Sequence, residues 1–254
     1  MRLGVFVVWV FTFLQLMGCD DDVSTARSSG DAGGGADTTS ATSGGRIGGA
    51  GADGTSGVGA GGGTPIDPCS GFAVSVESVV YGEGAGFGQA LMPGIVFGPP
   101  EGAGELSGSL HVVSLGNGGA ITLGFGDQAI IDGDGPDFIV FENAFYAGGN
   151  PEAPFAELAT VEVSRDGASW TAYPCNAEVS PYGTCAGWNP VFSNPADPSI
   201  EPNDPNAAGG DAFDLADIAM DDVRFIRITD RADLTGLNGA FDLDAIALIH
   251  ATCE

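Results

Sequence analysis

The chain is predicted to fold as an all-β sandwich. Beyond residue 66, short apolar or alternating runs are separated by glycine, proline, asparagine and aspartate, a pattern typical of strands joined by turns. Residues 160–164 (TVEVS) alternate as a half-buried strand does, whereas residues 138–141 (FIVF) are apolar throughout, as in a central strand covered on both faces. Together these observations favour two packed sheets with few helices.

Eight segments carry the strand pattern. They lie near residues 72–81, 109–114, 120–125, 138–142, 160–164, 170–173, 223–229 and 243–250. Arg165-Asp166-Gly167 favours a turn, so the chain should form a hairpin that leads back through Trp170. One short helical turn is expected near residues 214–220, where Asp214 is a candidate N-cap.

The N-terminal residues look like an export signal. An apolar run over residues 3–14 follows Arg2, and Leu16-Met17-Gly18-Cys19 resembles the lipobox of bacterial lipoproteins. A transmembrane anchor is an alternative, but a stable span needs about 20 apolar residues. An ordinary signal peptide that is cleaved without acylation is the second alternative. We expect residues 1–18 to be removed and Cys19 to carry acyl chains that hold the protein on a membrane.

Residues 19–66 form a separate region after the signal. They are mostly glycine, alanine, serine, threonine and aspartate, with almost no large apolar side chain. Such a segment buries too little surface to offset the entropy of ordering, so a disordered tether is expected. Residues 67–254 are long enough for one hydrophobic core and are expected to form a single β-sandwich domain.

The charge of the chain excludes several functions. It has 34 Asp and Glu against 7 Lys and Arg, a formal net charge of -27, and all seven basic residues are arginine. Such a surface repels phosphate backbones, so nucleic-acid binding is not expected. Without lysine, neither a Walker A loop nor Schiff-base chemistry is available.

The cysteines indicate an oxidising compartment. With Cys19 assigned to lipid, four remain, and an even number in an exported chain is typical of disulfides. Four cysteines allow three pairings. We favour Cys175 with Cys185, which closes a short loop, and Cys69 with Cys253, which ties the ends of the folded region together.

Several segments resemble known families. Residues 161–170 (VEVSRDGASW) and 223–228 (VRFIRI) resemble the hairpin and a strand of discoidin and galactose-binding-like jelly rolls. Residues 241–246 are similar to the closing strand of related carbohydrate-binding modules, where an aspartate commonly ligates calcium. The order of residues 114–119, 137–143 and 209–215 resembles bacterial cell-surface lipoproteins of unestablished function. The resemblance implies a single jelly-roll β-sandwich, but no cluster of aromatic residues suggests the sugar platform of such modules.

Acidic loops are the best candidate site. Carboxylates two or three residues apart, with glycine between them, can converge on a calcium ion, which takes about six to eight oxygen ligands. A solvated turn is the alternative, because Asp134-Gly135 is ordinary turn chemistry. A second acidic group, which could bind the same ion or another, comprises Asp211, Asp214, Asp217, Asp242 and Asp244. The expected ligands are Asp132, Asp134, Asp137 and Glu142, with Asp242 or Asp244 from outside the loop.

Catalysis finds little support in the sequence. There is no G-x-S-x-G elbow or zinc-ligand spacing, and His111 and His250 are interpreted as strand-end residues. Asp137 and Glu142 are the one carboxylate pair considered for a glycosidase. We therefore expect a non-catalytic binding or adhesion module in the bacterial envelope, at the outer membrane or cell surface. Its partner would be an extracellular glycan or an envelope component; a hydrolase and a structural envelope protein are the alternatives.

Overall fold

The computed structural model of the chain describes residues 67–176, 178, 180–233 and 239–254. The expected signal peptide, the acylated Cys19 and the tether of residues 19–66 lie outside these residues. The fifteen strands within them are β1 (Ser75–Val80), β2 (Val113–Ser114), β3 (Ala120–Gly124), β4 (Gln128–Ile131), β5 (Phe138–Phe141), β6 (Phe145–Tyr146), β7 (Pro154–Phe155), β8 (Ala159–Ser164), β9 (Thr171–Ala172), β10 (Asp211–Phe213), β11 (Asp222–Val223), β12 (Phe225–Asp230), β13 (Asp242–Leu243), β14 (Ala245–Leu248) and β15 (Ala251–Cys253).

One layer of the fold is a five-stranded antiparallel sheet in the order β1-β3-β12-β8-β9. Strand β12 shows why this sheet forms, because its side chains alternate between the core and the outer face. Ile226 and Ile228 are fully buried, whereas Phe225 and Arg227 point away from the core and remain partly exposed. The expected hairpin is present, since β8 pairs with β9 just beyond the turn at Gly167.

The opposite layer consists of shorter antiparallel sheets. Their orders are β10-β5-β14, β11-β4-β15 and β13-β2, and all four residues of β5 are buried, as expected for a strand covered on both faces. Phe138 and Val140 join the main core with residues of β3, β8 and β12, while Ile139 and Phe141 pack in a second cluster. The main core therefore lies between two layers, and the predicted all-β sandwich is confirmed.

Some elements differ from the sequence-based expectation. Strands β4, β10 and β15 were not predicted, because each is only three or four residues long and lacks a long alternating run. The run at residues 243–250 is divided into β13 and β14, since Asp244 interrupts it with a side chain that bonds elsewhere. The helical turn is a 3-10 helix over Leu215–Ile218, capped by Asp214, whose side chain accepts a hydrogen bond from Ala216 N.

Both expected disulfides are present. Cys69 pairs with Cys253 and Cys175 with Cys185, with Cα atoms 5.8 Å and 4.5 Å apart. The first bond joins the start of the described chain to β15, and β15 is in turn paired with β4. The two ends of the domain are thereby held at one place in the fold.

Candidate metal centre

Among the described residues, six carboxylic acids are buried. Aspartate and glutamate are almost never fully buried unless their oxygens find partners. All six are at most 7% exposed: Asp137, Glu142, Glu157, Asp211, Asp230 and Asp244. In some of these acids, both carboxylate oxygens accept hydrogen bonds from neighbouring loops. In others, a carboxylate oxygen has no hydrogen-bond donor near it among the described residues.

Two of these acids organise neighbouring loops. Asp211, at the start of β10, accepts three hydrogen bonds from the segment 187–189, at 2.6, 3.2 and 2.9 Å. Asp230, at the end of β12, accepts a bond of 2.8 Å from the backbone N–H of Gly118 and another of 2.8 Å from that of Phe241. Both oxygens of each carboxylate accept hydrogen bonds, so these two acids stabilise the loops that they contact. No oxygen of either acid is left without a partner that a cation would have to supply.

Burial of Asp211 also predicts a pH dependence. Loss of solvation raises the pKa of Asp211 from 3.8 to about 7, in spite of its hydrogen bonds. Between these values the folded state holds a proton that the unfolded chain has released, so the free energy of unfolding falls as the pH rises. We expect the Tm in chelator to decrease from about pH 4 to about pH 7. A Tm that stays constant or rises over that range would contradict the prediction.

Asp137 is the centre of the loop that precedes β5. One of its oxygens accepts hydrogen bonds from Gly133 N at 2.8 Å and faces His250 Nδ1 at 2.9 Å, and the other accepts from Leu215 N at 2.7 Å. The carboxylate is therefore fully bonded and joins three segments of the chain. His250, expected to be an ordinary strand-end residue, is one of its partners.

An acidic cluster surrounds Asp137. Ligand atoms of Asp132, Asp137 and Asp214 lie within 4.8 Å of one another. However, Asp132 is exposed, Asp214 caps the 3-10 helix and Asp137 is occupied by the bonds described above. Asp134 is exposed and does not belong to this cluster. The loop geometry accounts for these side chains, and none of them is left buried without a partner.

Asp244 is bonded at another position. One oxygen accepts a hydrogen bond of 2.9 Å from Glu101 N, and the other lies 3.3 Å from His111 Nδ1. Burial raises the pKa of Asp244 to about 6. Both oxygens have a partner within the protein, so Asp244 fixes His111 and the Glu101 backbone and does not join the other expected ligands.

Glu142 is the exception among the buried acids. It is 1% exposed, and neither of its carboxylate oxygens has a hydrogen-bond partner within the described part of the chain. Two further buried oxygens lack a partner there, Asn143 Oδ1 and Asp242 Oδ1. The Asn143 amide donates to the other Asp242 oxygen at 3.3 Å, which links the two side chains. Four acceptor atoms are thus buried with no donor assigned to them.

The strands bring these acceptors together from distant parts of the sequence. Glu142 and Asn143 follow β5 directly, and Asp242 begins β13, where it pairs with Ser114 of β2. Glu157 lies just before β8; the Asp242 charge raises the pKa of Glu157, whereas a hydrogen-bonding interaction with the Glu142 carboxyl lowers it. The "Glu142 site" hereafter means Glu142, Asn143, Glu157 and Asp242.

The electrostatics of the Glu142 site favour the neutral, protonated acids unless a cation is bound. Burial raises the pKa of Glu142 well above its ordinary value, and the neighbouring Glu157 charge raises it further. Burial raises the pKa of Glu157 to about 8, and the pKa of Asp242 is raised in the same way. The ligand atoms of these three acids do not all lie within 4.8 Å of one another, so one positive ion could contact at most two of them, and the third would take up a proton. Carboxylate and amide oxygens are the ligands that calcium prefers.

The structure corrects the expected grouping of ligands. Asp132 and Asp137 lie at one end of β5 and Glu142 at the other, roughly 17 Å apart along an extended chain. One ion cannot contact both ends, and Asp134 and Asp244 belong to neither group. Of the expected ligands, Asp132 and Asp137 come together in one group with Asp214, and Glu142 and Asp242 are close enough in a second place for the Asp242 charge to raise the pKa of Glu142.

Two members of the site were not among the expected ligands. Asn143 directly follows Glu142 in the candidate segment, and its amide oxygen is of a type that binds calcium. Glu157 stands alone between Ala156 and Leu158, both of which are buried. A single acid inside an apolar run was a usable signal of a buried carboxylate.

Two comparisons with known proteins found no match for this chain. No protein-family model matches it, and no curated protein is significantly similar to it. Within the residues that the structure describes, no helix has the length and apolar character required to span a membrane. The candidate function therefore depends on the chemistry of the site and on the sequence.

Proposed function

We propose that the chain is a calcium-stabilised, non-catalytic binding module of the bacterial envelope, attached to the membrane through an acylated Cys19. The observation that carries the calcium part is the Glu142 carboxylate, which is buried and has no donor for either oxygen among the described residues. A calcium ion would satisfy both oxygens together with Asn143 Oδ1 and Asp242 Oδ1. The loops at that end of the sandwich would then be fixed for binding.

Other features support export and attachment. The two disulfides suit an oxidising compartment outside the cytoplasm. The lipobox-like sequence at Cys19 and the glycine-rich segment after it suit a lipid-anchored domain held away from the membrane. The resemblance to galactose-binding-like jelly rolls favours a binding role, although sandwiches of this kind carry many functions.

A glycosidase is the rival function. The carboxylate pair considered from the sequence, Asp137 and Glu142, is separated by the whole of β5, roughly 17 Å. Glycosidases place their two carboxyl groups about 5 to 9.5 Å apart. That pair is therefore too widely spaced for the reaction.

Two measurements test the proposed function. Wild-type and Cys19→Ala proteins are compared in membrane and soluble fractions, and we expect the substitution to move the protein out of the membrane fraction. The full chain in detergent is then assayed for binding to isolated envelope fractions, with calcium and with chelator, beside a panel of glycosidase substrates. We expect calcium-dependent binding without turnover.

Distinct outcomes would refute each part. Retention of Cys19→Ala in the membrane would contradict the lipid anchor. Turnover of a glycosidase substrate that disappears in Glu142→Gln, while the protein stays folded, would show that the protein is a hydrolase and not a non-catalytic binding module. If neither binding nor turnover is detected, a structural role in the envelope becomes the favoured function.

A further inference from the structure

A cavity of about 460 Å³ opens beside His111. The "His111 pocket" is bounded by residues 101–103 and 108–111 and by Asn194. Several of these residues are glycine, alanine or serine, so the pocket leaves room for a ligand beside the imidazole ring. Its volume lies within the range of small-molecule sites. The two ionisable side chains that line it are Glu101 and His111.

The pairing of two short strands places His111 beside a buried acid. Val113 of β2 pairs with Leu243 of β13, so the residues just before β2 pass those just after β13. Asp244 follows β13 directly, and its side chain is fully buried. Its Oδ1 lies 3.3 Å from His111 Nδ1. The backbone N–H of His111 also donates to Ser109 Oγ at 3.0 Å, so the main chain and the ring are both held in place.

This arrangement determines which ring nitrogen is free. Because a carboxylate accepts hydrogen bonds, the neutral imidazole carries its proton on Nδ1 and keeps a lone pair on Nε2. Glu101 lies on the Nε2 side, with its Oε1 3.7 Å from His111 Nε2. The backbone N–H of Glu101 donates to the second oxygen of Asp244 at 2.9 Å, so one buried acid positions both residues. Metal-binding histidines are commonly oriented by a carboxylate on their other nitrogen in this way.

Two acceptor atoms therefore face each other at the pocket. His111 Nε2 and Glu101 Oε1 repel each other unless a positive charge lies between them. A proton on Nε2 would draw the carboxylate to about 2.7–2.9 Å, and the observed 3.7 Å is longer. Two ligand atoms of a tetrahedral metal ion, each about 2.0–2.1 Å from the ion, lie about 3.4 Å from each other. The half-exposed Glu101 side chain can make up the small difference.

The donor atoms select the kind of ion. Calcium takes oxygen ligands, whereas an imidazole nitrogen together with a carboxylate suits zinc and similar transition-metal ions. The net charge of -27 on the chain also attracts a cation to this surface. Two protein ligands leave two positions of a four-coordinate ion open to water or to a further ligand.

We infer that Glu101 and His111 bind a transition-metal ion of the zinc class, with its open positions directed into the His111 pocket. This inference goes beyond the proposed function and does not depend on it. Gly108 of the pocket adjoins the Glu142 site, since a Cβ at Gly108 would lie 2.7 Å from the backbone oxygen of Asn143. The donor atoms of the two sites differ, so zinc and calcium can be titrated separately.

The test titrates zinc chloride into the full chain in detergent, in excess calcium, and measures Kd by calorimetry. His111→Gln and Glu101→Gln each remove one ligand. His250→Gln is the control for the first, because His250 Nδ1 also faces a buried acid, Asp137, and the two imidazoles are 31% and 32% exposed. Glu105→Gln is the control for the second, because it makes the same change at an exposed acid of the same loop.

We expect the wild-type protein to bind zinc, with Kd raised about tenfold or more by His111→Gln and by Glu101→Gln. His250→Gln and Glu105→Gln should leave Kd unchanged. Absence of zinc binding by the wild type would refute the inference and would mean that a proton, not a metal ion, separates the two acceptors. Binding that is lost in His250→Gln and kept in His111→Gln would also refute it.

The wild-type protein gives a second measurement that does not depend on how the variants fold. The chain has two histidines, and diethyl pyrocarbonate modifies imidazole nitrogens that are accessible and unligated. Peptide mass spectrometry should show that zinc protects His111 and leaves His250 reactive. Equal modification of His111 with and without zinc would contradict the site. Zinc binding without envelope binding would leave this inference intact while the proposed binding function fails.

Discussion

Replacing Glu142 with glutamine is expected to stabilise the calcium-free protein and to abolish the stabilisation that calcium gives. Without an ion, folding buries a carboxylate that either stays charged without a partner or must take up a proton. Glutamine removes this penalty, which we put at about 1–3 kcal/mol. The variant should therefore be more stable than wild type in chelator and should gain no stability from calcium. An ordinary buried acid would show only the first of these effects.

For the wild-type protein, calcium should raise the Tm. An ion that binds only the folded state contributes about 2.7 kcal/mol at a hundredfold excess over Kd. In a domain of this size that corresponds to roughly 5–10 °C. The measurement is a thermal melt of wild type and Glu142→Gln in calcium and in chelator. Glu157→Gln should likewise stabilise the protein in chelator, because burial raises the pKa of the Glu157 carboxyl to about 8.

Two variants serve as controls for this result. Glu152→Gln makes the same chemical change at an exposed position, and Asp134→Asn removes an exposed acid of the loop once expected to bind calcium. Neither should alter the calcium response. Equal calcium responses of wild type and Glu142→Gln would refute the site, as would a wild-type Tm that chelator does not change. Loss of the calcium response in Asp134→Asn would show that calcium binds in the loop of Asp132, Asp134 and Asp137.

Removal of the Cys69–Cys253 disulfide is expected to be the most destabilising change at the cysteines. The bond spans 184 residues, whereas Cys175–Cys185 spans 10. The chain-entropy model gives about 5 kcal/mol for the longer loop and about 3 kcal/mol for the shorter one. We therefore expect the Cys69→Ser/Cys253→Ser protein to unfold at lower denaturant concentration than Cys175→Ser/Cys185→Ser.

Chemical denaturation of the two double variants checks this order. Changing both cysteines of a pair avoids a free thiol that could form a new bond. The slope of each transition should be measured too, because a less constrained unfolded state can change it. A larger loss of stability in the Cys175–Cys185 variant would mean that local packing outweighs loop entropy in this fold.

The sequence predicted the long strands better than the short ones. The alternation in β8 and β12 and the uniformly apolar β5 are visible because each extends over four to six residues. Strand β4 has no such pattern, since its first residue is Gln128, a buried polar side chain that bonds to Gly71 N and to Phe125 O. Its place in the sheet is decided by partners that are far away in the sequence.

The site was predictable only in part for the same reason. The spacing of Asp132, Asp134 and Asp137 suggested a local calcium loop, yet the loop uses Asp137 to bind its own backbone. Glu142 was expected as a ligand because it follows the same acidic loop in the sequence. Its partner Glu157 comes from another segment, and only the pairing of strands brings such groups together. Local spacing cannot distinguish a ligand from a carboxylate that organises a turn.

The joined ends of the domain have a mechanical consequence. A pulling force applied through the residues before Asp67 reaches Cys69 first, and the disulfide passes part of it to Cys253. Cys253 lies in β15, which is hydrogen-bonded to β4, while the main chain beyond Cys69 leads into β1 and its pairing with β3. The load is therefore divided between the two layers of the sandwich. Two attachment points in different layers oppose the peeling of one strand at a time under a force applied through the residues before Asp67.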